Sequence, residues 1–322
     1  MLSIKDLSAL YAAKYNGERL GTEPKGLYEP MSHIMSIPGK RIRPLLLLLS
    51  CDAFGGQVSD ALNAAHAMEL FHNFTLVHDD IMDAATLRRG IPTVHELYGI
   101  NAGILTGDAI FIYVYKYLCM LPPAILPAAL ELFNATAVEI MEGQQMDMDF
   151  EQRLDVAVQE YLTMIGFKTS VLLACSLQMG AIIAGASVHD QSSVYDFGMK
   201  LGLSFQIKDD WLDTFGESDK VGKKPGGDII QNKKTYLLIT LLNTISNDDR
   251  KELLKLFEEK DETHKVAAVM ALYAKYDISA KTLEKADALY QEALDALDAI
   301  SISTEQKVNL RTMAQMVHDR TF

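Results

Sequence analysis

The chain is poor in the residues that break helices or build sheets. Its 322 residues include nine prolines, and eight of these, Pro24, Pro30, Pro38, Pro44, Pro92, Pro122, Pro123 and Pro127, sit at the edges of apolar segments. Alternating β-branched runs bounded by turns are nearly absent, which removes support for strands. No linker rich in Gly, Ser or Pro divides the sequence and no short-period repeat appears, so the expectation is a single all-α domain over 1–322. Cysteine is scarce too. Cys51, Cys119 and Cys175 are odd in number, widely spaced and set in apolar runs, which predicts buried thiols in a reducing compartment. Positive charge is in deficit: the formal net charge is −13, which argues against a nucleic-acid binder, because a phosphate backbone needs a broad basic surface. An anionic small substrate stays open if the positive charge is local and metals supply the rest. Long apolar runs are lacking as well. The nearest to a membrane span, 171–186, is short and contains Gln178, so it reads as a buried core helix, with no integral membrane association. The first twenty residues are amphipathic and carry Lys5, Asp6 and Glu18, unlike a secretory signal, and a cytoplasmic protein is expected.

What is present is helix. Hydrophobic content of 49% can fill a large core. Periodicity and punctuation predict helices near 3–15, 25–36, 44–54, 59–84, 93–98, 101–120, 124–143, 153–164, 168–186, 190–214, 232–244, 248–259, 262–274, 276–298 and 303–320. The runs 171–186 and 44–49 are apolar all round, so some helices must lie at the centre with others around them. The acidic stretch 281–298 reads as a solvated face. A glycine-rich stretch, 216–227, carries Lys220, Lys223 and Lys224 just after an acidic cluster; it is either an ordinary loop or a lid over bound phosphates.

Residues 72–90, HNFTLVHDDIMDAATLRRG, concentrate the chemistry. On a helix Asp79 and Asp83 project from one face about 6 Å apart. Two carboxylates so placed repel each other, and a hard divalent cation is the natural remedy. Arg88 and Arg89 follow, then Gly90 and Pro92, which end the helix. That order suits a polyphosphate held between metal and guanidinium. A lone DDxxD is usually a solvated acidic turn, but a second copy, Asp209 to Asp213, also lies in an apolar helical context. Lys40, Arg41 and Arg43 form a basic cluster ahead of an apolar helix; it is either a surface turn or a diphosphate site helped by the helix N-terminus. His72, two turns before Asp79, is either a packed residue or part of the same site. Lys168 and Thr169 open a long apolar helix, and Gln206 shares a face with Asp209. Phe, Leu, Met, Ala and Val between the acidic turns would wall an apolar cavity. Two acidic clusters, an apolar cavity and no nucleophile–base pair suit the ionisation of an allylic diphosphate, with metals and cations binding the leaving group.

From about Gly39 onward the chain resembles the trans-isoprenyl diphosphate synthases (polyprenyl synthetases), of the short-chain farnesyl or geranylgeranyl type. The resemblance rests on GKRIRP at 39–44, DDIMD with RRG at 79–90, GD at 107–108, GQQMDM at 143–148, KTS at 168–170, FQIKDDWLD at 205–213 and GKKPGGDIIQNKKTY at 222–236. It implies a bundle of long helices around a deep central cavity, the isoprenoid synthase type I fold, usually as a homodimer. The implied reaction is head-to-tail condensation of isopentenyl diphosphate onto an allylic diphosphate with Mg²⁺. By matching position, Asp79, Asp83, Asp209 and Asp213 would bind the metal. Arg88 would contact the allylic diphosphate and Arg89 the isopentenyl one, with Lys40, Arg43 and His72 completing the isopentenyl pocket. Lys168, Thr169, Gln206 and Lys223 would line the allylic side, with Lys233 beside them. Two departures stand out: Pro38-Gly39 replaces the commoner Gly-Gly, and the first motif lacks the two-residue insertion typical of bacterial farnesyl diphosphate synthases.

The product would grow from the Asp79 cluster toward the N-terminus of its helix. Phe74, about 7.5 Å deeper, with Thr75 beside it, is the expected floor, and geranylgeranyl diphosphate is the expected product, with farnesyl diphosphate next. Phe74 is rotated about 140° from Asp79, so Phe71 is an alternative floor. Three rivals are weaker. In a class I terpene cyclase, where Glu217 would have to act, the basic cluster would be idle. A non-catalytic modulating subunit would not need both acid motifs. A di-iron bundle, prompted by Glu69 and His72, requires a second Glu-x-x-His motif.

Overall fold

The computed structural model describes residues 1–216 and 226–319. The elements in chain order are α1 (Ile4–Tyr15), α2 (Lys25–Ser36), α3 (Ile42–Ala53), α4 (Val58–Met82), β1 (Leu87–Arg88), β2 (Ile91–Pro92), α5 (Val94–Tyr98), α6 (Ile100–Leu118), α7 (Leu126–Glu151), α8 (Val158–Ile165), α9 (Val171–Ile183), α10 (Val188–Phe215), α11 (Gly227–Ile230), α12 (Tyr236–Thr244), α13 (Asn247–Leu256), α14 (Glu262–Lys275), α15 (Ile278–Ala299) and α16 (Thr304–Asp319). The fold is all-α apart from the two-residue antiparallel hairpin.

The all-apolar stretches lie at the centre, as their composition requires. Leu46 to Leu49 of α3 pack with Met68, Leu70 and Phe71 of α4 and with α9 in the largest core cluster. Each such side chain stabilises the fold by about 1.5–3 kcal/mol on burial. Two smaller clusters attach the C-terminal helices. One holds Leu241, Leu253, Leu272 and Ile278, and the other joins Phe150, Tyr161, Ile207 and Leu289. The acidic helix α15 buries Thr282, Ala286, Leu289, Ala293 and Leu297, a three-to-four spacing that leaves its carboxylates outside.

The structure departs from the sequence reading in five places. The DDIMD helix stops at Met82, and Asp83 and the left-handed Ala84 turn the chain into the hairpin, which carries Arg88 and Arg89. Helix α7 does not end near Gly143 but runs on to Glu151. The segments 153–164 and 168–186 form one helical run, because a wide π turn, Gly166–Ser170, joins α8 to α9. That run is therefore long and apolar enough to cross a membrane by length and composition, yet 72% of its most apolar window is buried within the protein. Around 232–244 the helix begins only at Tyr236, after the short α11. Cys51 and Cys175 are buried, but Cys119 caps α6 and is exposed, since its neighbour Leu118 takes the inward position.

Gly143 lies inside α7, where its task is close approach. A β-carbon there would lie 2.4 Å from the Lys168 backbone nitrogen, and one at Gly202 of α10 would lie 2.6 Å from Ser170 Cα. Two glycines on flanking helices thus admit the π turn between them. Gly143→Ala should overpack this contact and lower stability by about 1–3 kcal/mol. A urea midpoint equal to the wild type's would show that the turn is not clamped there.

Candidate active site

A cavity of about 930 Å³ opens between α4, α7, α9 and α10. Its walls are apolar below, with Phe74, Ile140, Met148, Leu172 and Phe205, and charged at the mouth. The geometry brings together nearly all the residues singled out by the sequence. Lys40, Arg43, His72, Phe74, Thr75, Asp79, Arg88, Arg89, Lys168, Thr169, Gln206 and Asp209 all line it. Asp83 and Lys233 face each other beside the mouth, Lys233 Nζ lying 3.9 Å from Asp83 Oδ2. Asp213 is directed elsewhere: its Oδ2 accepts the Asp228 N–H at 2.9 Å. Lys223, with Lys220, Lys224 and Glu217 of the suspected lid, lies outside the described residues.

The mouth is acidic and internally tied. Lys168 Nζ donates to Asp147 Oδ2 at 2.6 Å and lies 3.4 Å from Asp79 Oδ1. Burial opposes the Lys168 ammonium, but Asp147 and Asp79 outweigh it and hold its pKa above the usual lysine value. Burial and the Asp79 carboxylate push Asp83 above the usual carboxylate range. Asp79 Oδ1 is buried and makes no hydrogen bond among the described residues, its nearest cation being the Lys168 ammonium at 3.4 Å. Thr169 Oγ1 donates to Gln206 Oε1 at 3.1 Å, so these two polar groups enter the apolar chamber as a fixed pair.

The neighbouring pocket is basic. Arg41 at the left-handed N-cap of α3 (φ 49°) pairs with buried Glu69 and donates to Met35 O at 3.2 Å. Arg89 Nη1 donates to the Pro38 carbonyl. Burial lowers the Arg43 pKa to about 10, with Glu69 opposing and Arg89 adding to the fall; the group stays charged at neutral pH. Arg43 Nε is buried without a hydrogen-bond partner among the described residues. Burial, and then the arginines around it, drive His72 well below its ordinary value, so its imidazole is neutral. A bound anion would relieve every one of these shifts.

Several functional neighbours escaped the sequence reading. Asp80, 2% exposed, clamps Arg88 through Nε at 2.9 Å and Nη2 at 2.7 Å. Asp210 is buried against the Tyr161 hydroxyl, the Tyr236 N–H at 2.9 Å and Gln206 Nε2 at 3.2 Å. Burial and then Asp228 push its carboxyl up to about 7. Asp147 and Glu69 complete the set. The available signal was counter-charge: the half-buried cations Lys168 and Arg41 each favour a nearby carboxylate.

Two observations bear on the floor. The Phe74 ring lines the cavity and stacks on Phe111 of α6 at 5.0 Å, whereas Phe71 is fully buried behind it and does not line the cavity. Thr75 Oγ1 is satisfied by the His72 carbonyl at 2.8 Å.

Comparison with known proteins agrees over most of the chain. The polyprenyl synthetase family model matches residues 24–276. The geranylgeranyl diphosphate synthase of Sulfolobus acidocaldarius is 40% identical over 290 residues, covering 88% of this chain and 87% of that protein. A crystal structure of a geranylgeranyl pyrophosphate synthase superposes with a TM-score of 0.93 at 43% identity, covering 99% of both chains. The geranylgeranyl pyrophosphate synthetase of Pyrococcus horikoshii Ot3 gives 0.92 at 34% identity, covering 98% of this chain and 97% of that one.

Asp80→Ala should leave Arg88 without its bidentate partner and lower stability by about 1.5–3 kcal/mol. The change is read from denaturant midpoints against Asp80→Asn, which keeps one acceptor and should lose less. Equal midpoints for all three proteins would show that the clamp contributes nothing.

Proposed function

Because the chain belongs to the polyprenyl synthetase family, we propose that its cavity joins isopentenyl diphosphate to an allylic diphosphate, giving short-chain all-trans prenyl diphosphates. Its all-α fold is the isoprenoid synthase type I arrangement. One observation carries the reading: an acidic mouth and a basic pocket stand side by side on a single apolar chamber lined by Phe74 among others. Two diphosphates can be held differently there while their hydrocarbon parts meet.

In the reaction the allylic C–O bond breaks, its electron pair leaving with diphosphate. The terminal carbon of the isopentenyl double bond attacks the cation, which moves the positive charge to the methyl-bearing carbon. Loss of a proton from the chain methylene next to that carbon, to the released diphosphate, restores a double bond. Lys40, Arg43 and Arg89 supply charge-assisted contacts for the isopentenyl diphosphate, and neutral His72 adds a donor. Arg88, Lys168 and Lys233 serve the allylic diphosphate; Lys223 is assigned to it by sequence alone. The Thr169–Gln206 pair presents oxygen to the forming cation, and Phe205 and Leu172 keep water from it.

The donor set at the mouth fits magnesium. Asp79, Asp83 and Asp209 offer hard oxygens, and Asp79 Oδ1, which makes no hydrogen bond among the described residues and lies 3.4 Å from the Lys168 ammonium, is suited to a cation. Among the described residues no three His, Cys, Asp or Glu side chains converge into a closed metal site, so diphosphate oxygens would have to complete the shell. When bound, magnesium would neutralise charge on the departing diphosphate.

The reading extends to product, assembly and place. Phe74 above Phe111 supports geranylgeranyl diphosphate as the main product and farnesyl diphosphate as the next. On α6, Ile104, Leu105 and Ile112 are 45%, 55% and 60% exposed, an apolar face that supports a homodimer through burial against a second copy. A cytoplasmic location is consistent with burial of the apolar α8–α9 run.

The direct test is incorporation of isopentenyl diphosphate that depends on an added allylic diphosphate. Asp79→Ala should lower it on the order of a hundredfold, as should omission of magnesium from the wild type. Near-normal turnover by Asp79→Ala would refute the role of the mouth. Phe74→Ala should shift the product distribution toward longer chains when the products are sized by chromatography. An unchanged product with lowered stability would make Phe74 a packing residue alone.

A further inference from the structure

The three carboxylates of the second acidic motif do not face the cavity alike. Asp209 lines it, Asp210 is buried against Tyr161 and the Tyr236 amide, and Asp213 turns to backbone. Both ends of Asp213 grip the same turn. Its Oδ2 accepts the Asp228 N–H at 2.9 Å, and its own carbonyl accepts the Gly226 N–H at 2.8 Å. A β-carbon added at Gly227 would stand 3.4 Å from Asp213 Oδ1, so the turn already packs on the carboxylate. From this anchor the chain is fixed by its own hydrogen bonds. Ile230 N donates to Gly226 O at 3.0 Å, and Lys233 N donates to Asp228 O at 3.0 Å, with Asn232 in the left-handed region at φ 55°. The path ends at the Lys233 ammonium, 3.9 Å from Asp83 on the opposite wall.

We propose that Asp213 is a positioning residue, a hydrogen-bond acceptor that fixes the Gly226–Lys233 turn and so sets Lys233 opposite Asp83, where the allylic diphosphate binds. The inference rests on the reaction proposed above and assigns a purpose to the last acid of the motif other than holding metal. The two roles ask for different chemistry at residue 213. Anchoring the Asp228 amide needs an acceptor oxygen, which asparagine also has. Ligation of a hard cation needs the negative charge, which asparagine lacks.

The test compares Asp213→Asn, Asp213→Ala, Lys233→Ala and the double variant Asp213→Ala/Lys233→Ala. Three quantities are measured: Michaelis constants for both substrates, the magnesium concentration for half-maximal turnover, and calorimetric affinity for farnesyl thiolodiphosphate, which does not ionise. Asp213→Asn should stay within about twofold of wild type in all three. Asp213→Ala should weaken the allylic Michaelis constant and the thiolodiphosphate affinity on the order of tenfold, the share of one charge-assisted contact. Lys233→Ala should match it, the isopentenyl constant should hardly move, and the double variant should be no worse than either single one. Asp213→Asn as poor as Asp213→Ala, with a raised magnesium requirement, would overturn the proposal in favour of ligation. Additive losses in the double variant would overturn it by separating Asp213 from Lys233. If Asp213→Ala does not fold, the comparison of Asp213→Asn with wild type still decides between acceptor and charge. An inactive wild type would refute the proposed reaction instead, while the thiolodiphosphate titrations would still read the coupling.

Discussion

Two lysines hold the acidic mouth together. Lys168 lies between Asp147 and Asp79, and Lys233 approaches Asp83, so ammonium groups bridge carboxylates that would otherwise repel. Burial lowers the pKa of both lysines, and the surrounding acids outweigh it and hold both above the usual lysine value. The mouth is thus charge-compensated by groups that can change partners. A diphosphate arriving with cations offers the carboxylates and the lysines better partners at once, and neither set has to change protonation. The adjoining pocket is built the other way. There Arg41, Arg43 and Arg89 share buried Glu69 while Arg88 is taken by Asp80, and burial together with the surrounding arginines leaves His72 neutral. One site therefore suits an anion that brings cations and the other an anion without them, which gives an electrostatic reason for two diphosphates to sort between adjacent pockets.

That arrangement depends on backbone placement more than on the charges themselves. Lys168 belongs to neither a regular helix nor a loop but to the π turn joining α8 and α9. The wider turn breaks the regular spacing of the buried run at the level of the cavity. It fits only because α7 and α10 each present a glycine to it. Asp147, the acid that meets Lys168, lies one turn beyond Gly143 on α7, so the same helix provides both the clearance and the counter-charge.

Much of this was legible in the residues. Helix positions followed from apolar spacing, and the DDIMD, GKRIRP and DDWLD segments were found on the walls of one cavity because each carries a charge pattern that a solvated face does not need. The failures share a cause. The expected helix stopped at Gly143, which instead marks contact with a residue twenty-five positions away, and Cys119 was given the burial of its neighbours without regard to helix face. Asp80 and Asp147 stood in plain view inside quoted motifs, but their partners Arg88 and Lys168 are identified only by tertiary packing. Asp213 is the clearest case. Its place in the motif suggests a cation, while its neighbours in space are backbone amides.

Which residues of α4 line the cavity does not follow from helix angle alone. On an ideal helix Phe74 points well away from Asp79, which favoured Phe71 or Thr75 as the closer neighbour. The cavity is not served by one stripe of α4, however: His72, Asn73, Phe74, Thr75, Leu76 and His78 all border it. Phe74 sits at the flank of that broad face, where His78 packs edge-on against it at 4.9 Å and Phe111 of α6 stacks beneath it. Phe71 and Phe133 lie behind, at 5.4 Å from Phe74 and 6.4 Å from Phe111. Phe74 thus connects the cavity lining to an aromatic cluster drawn from three helices. Shortening residue 74 would uncover another ring rather than solvent, because Phe71 and Phe111 both pack against it.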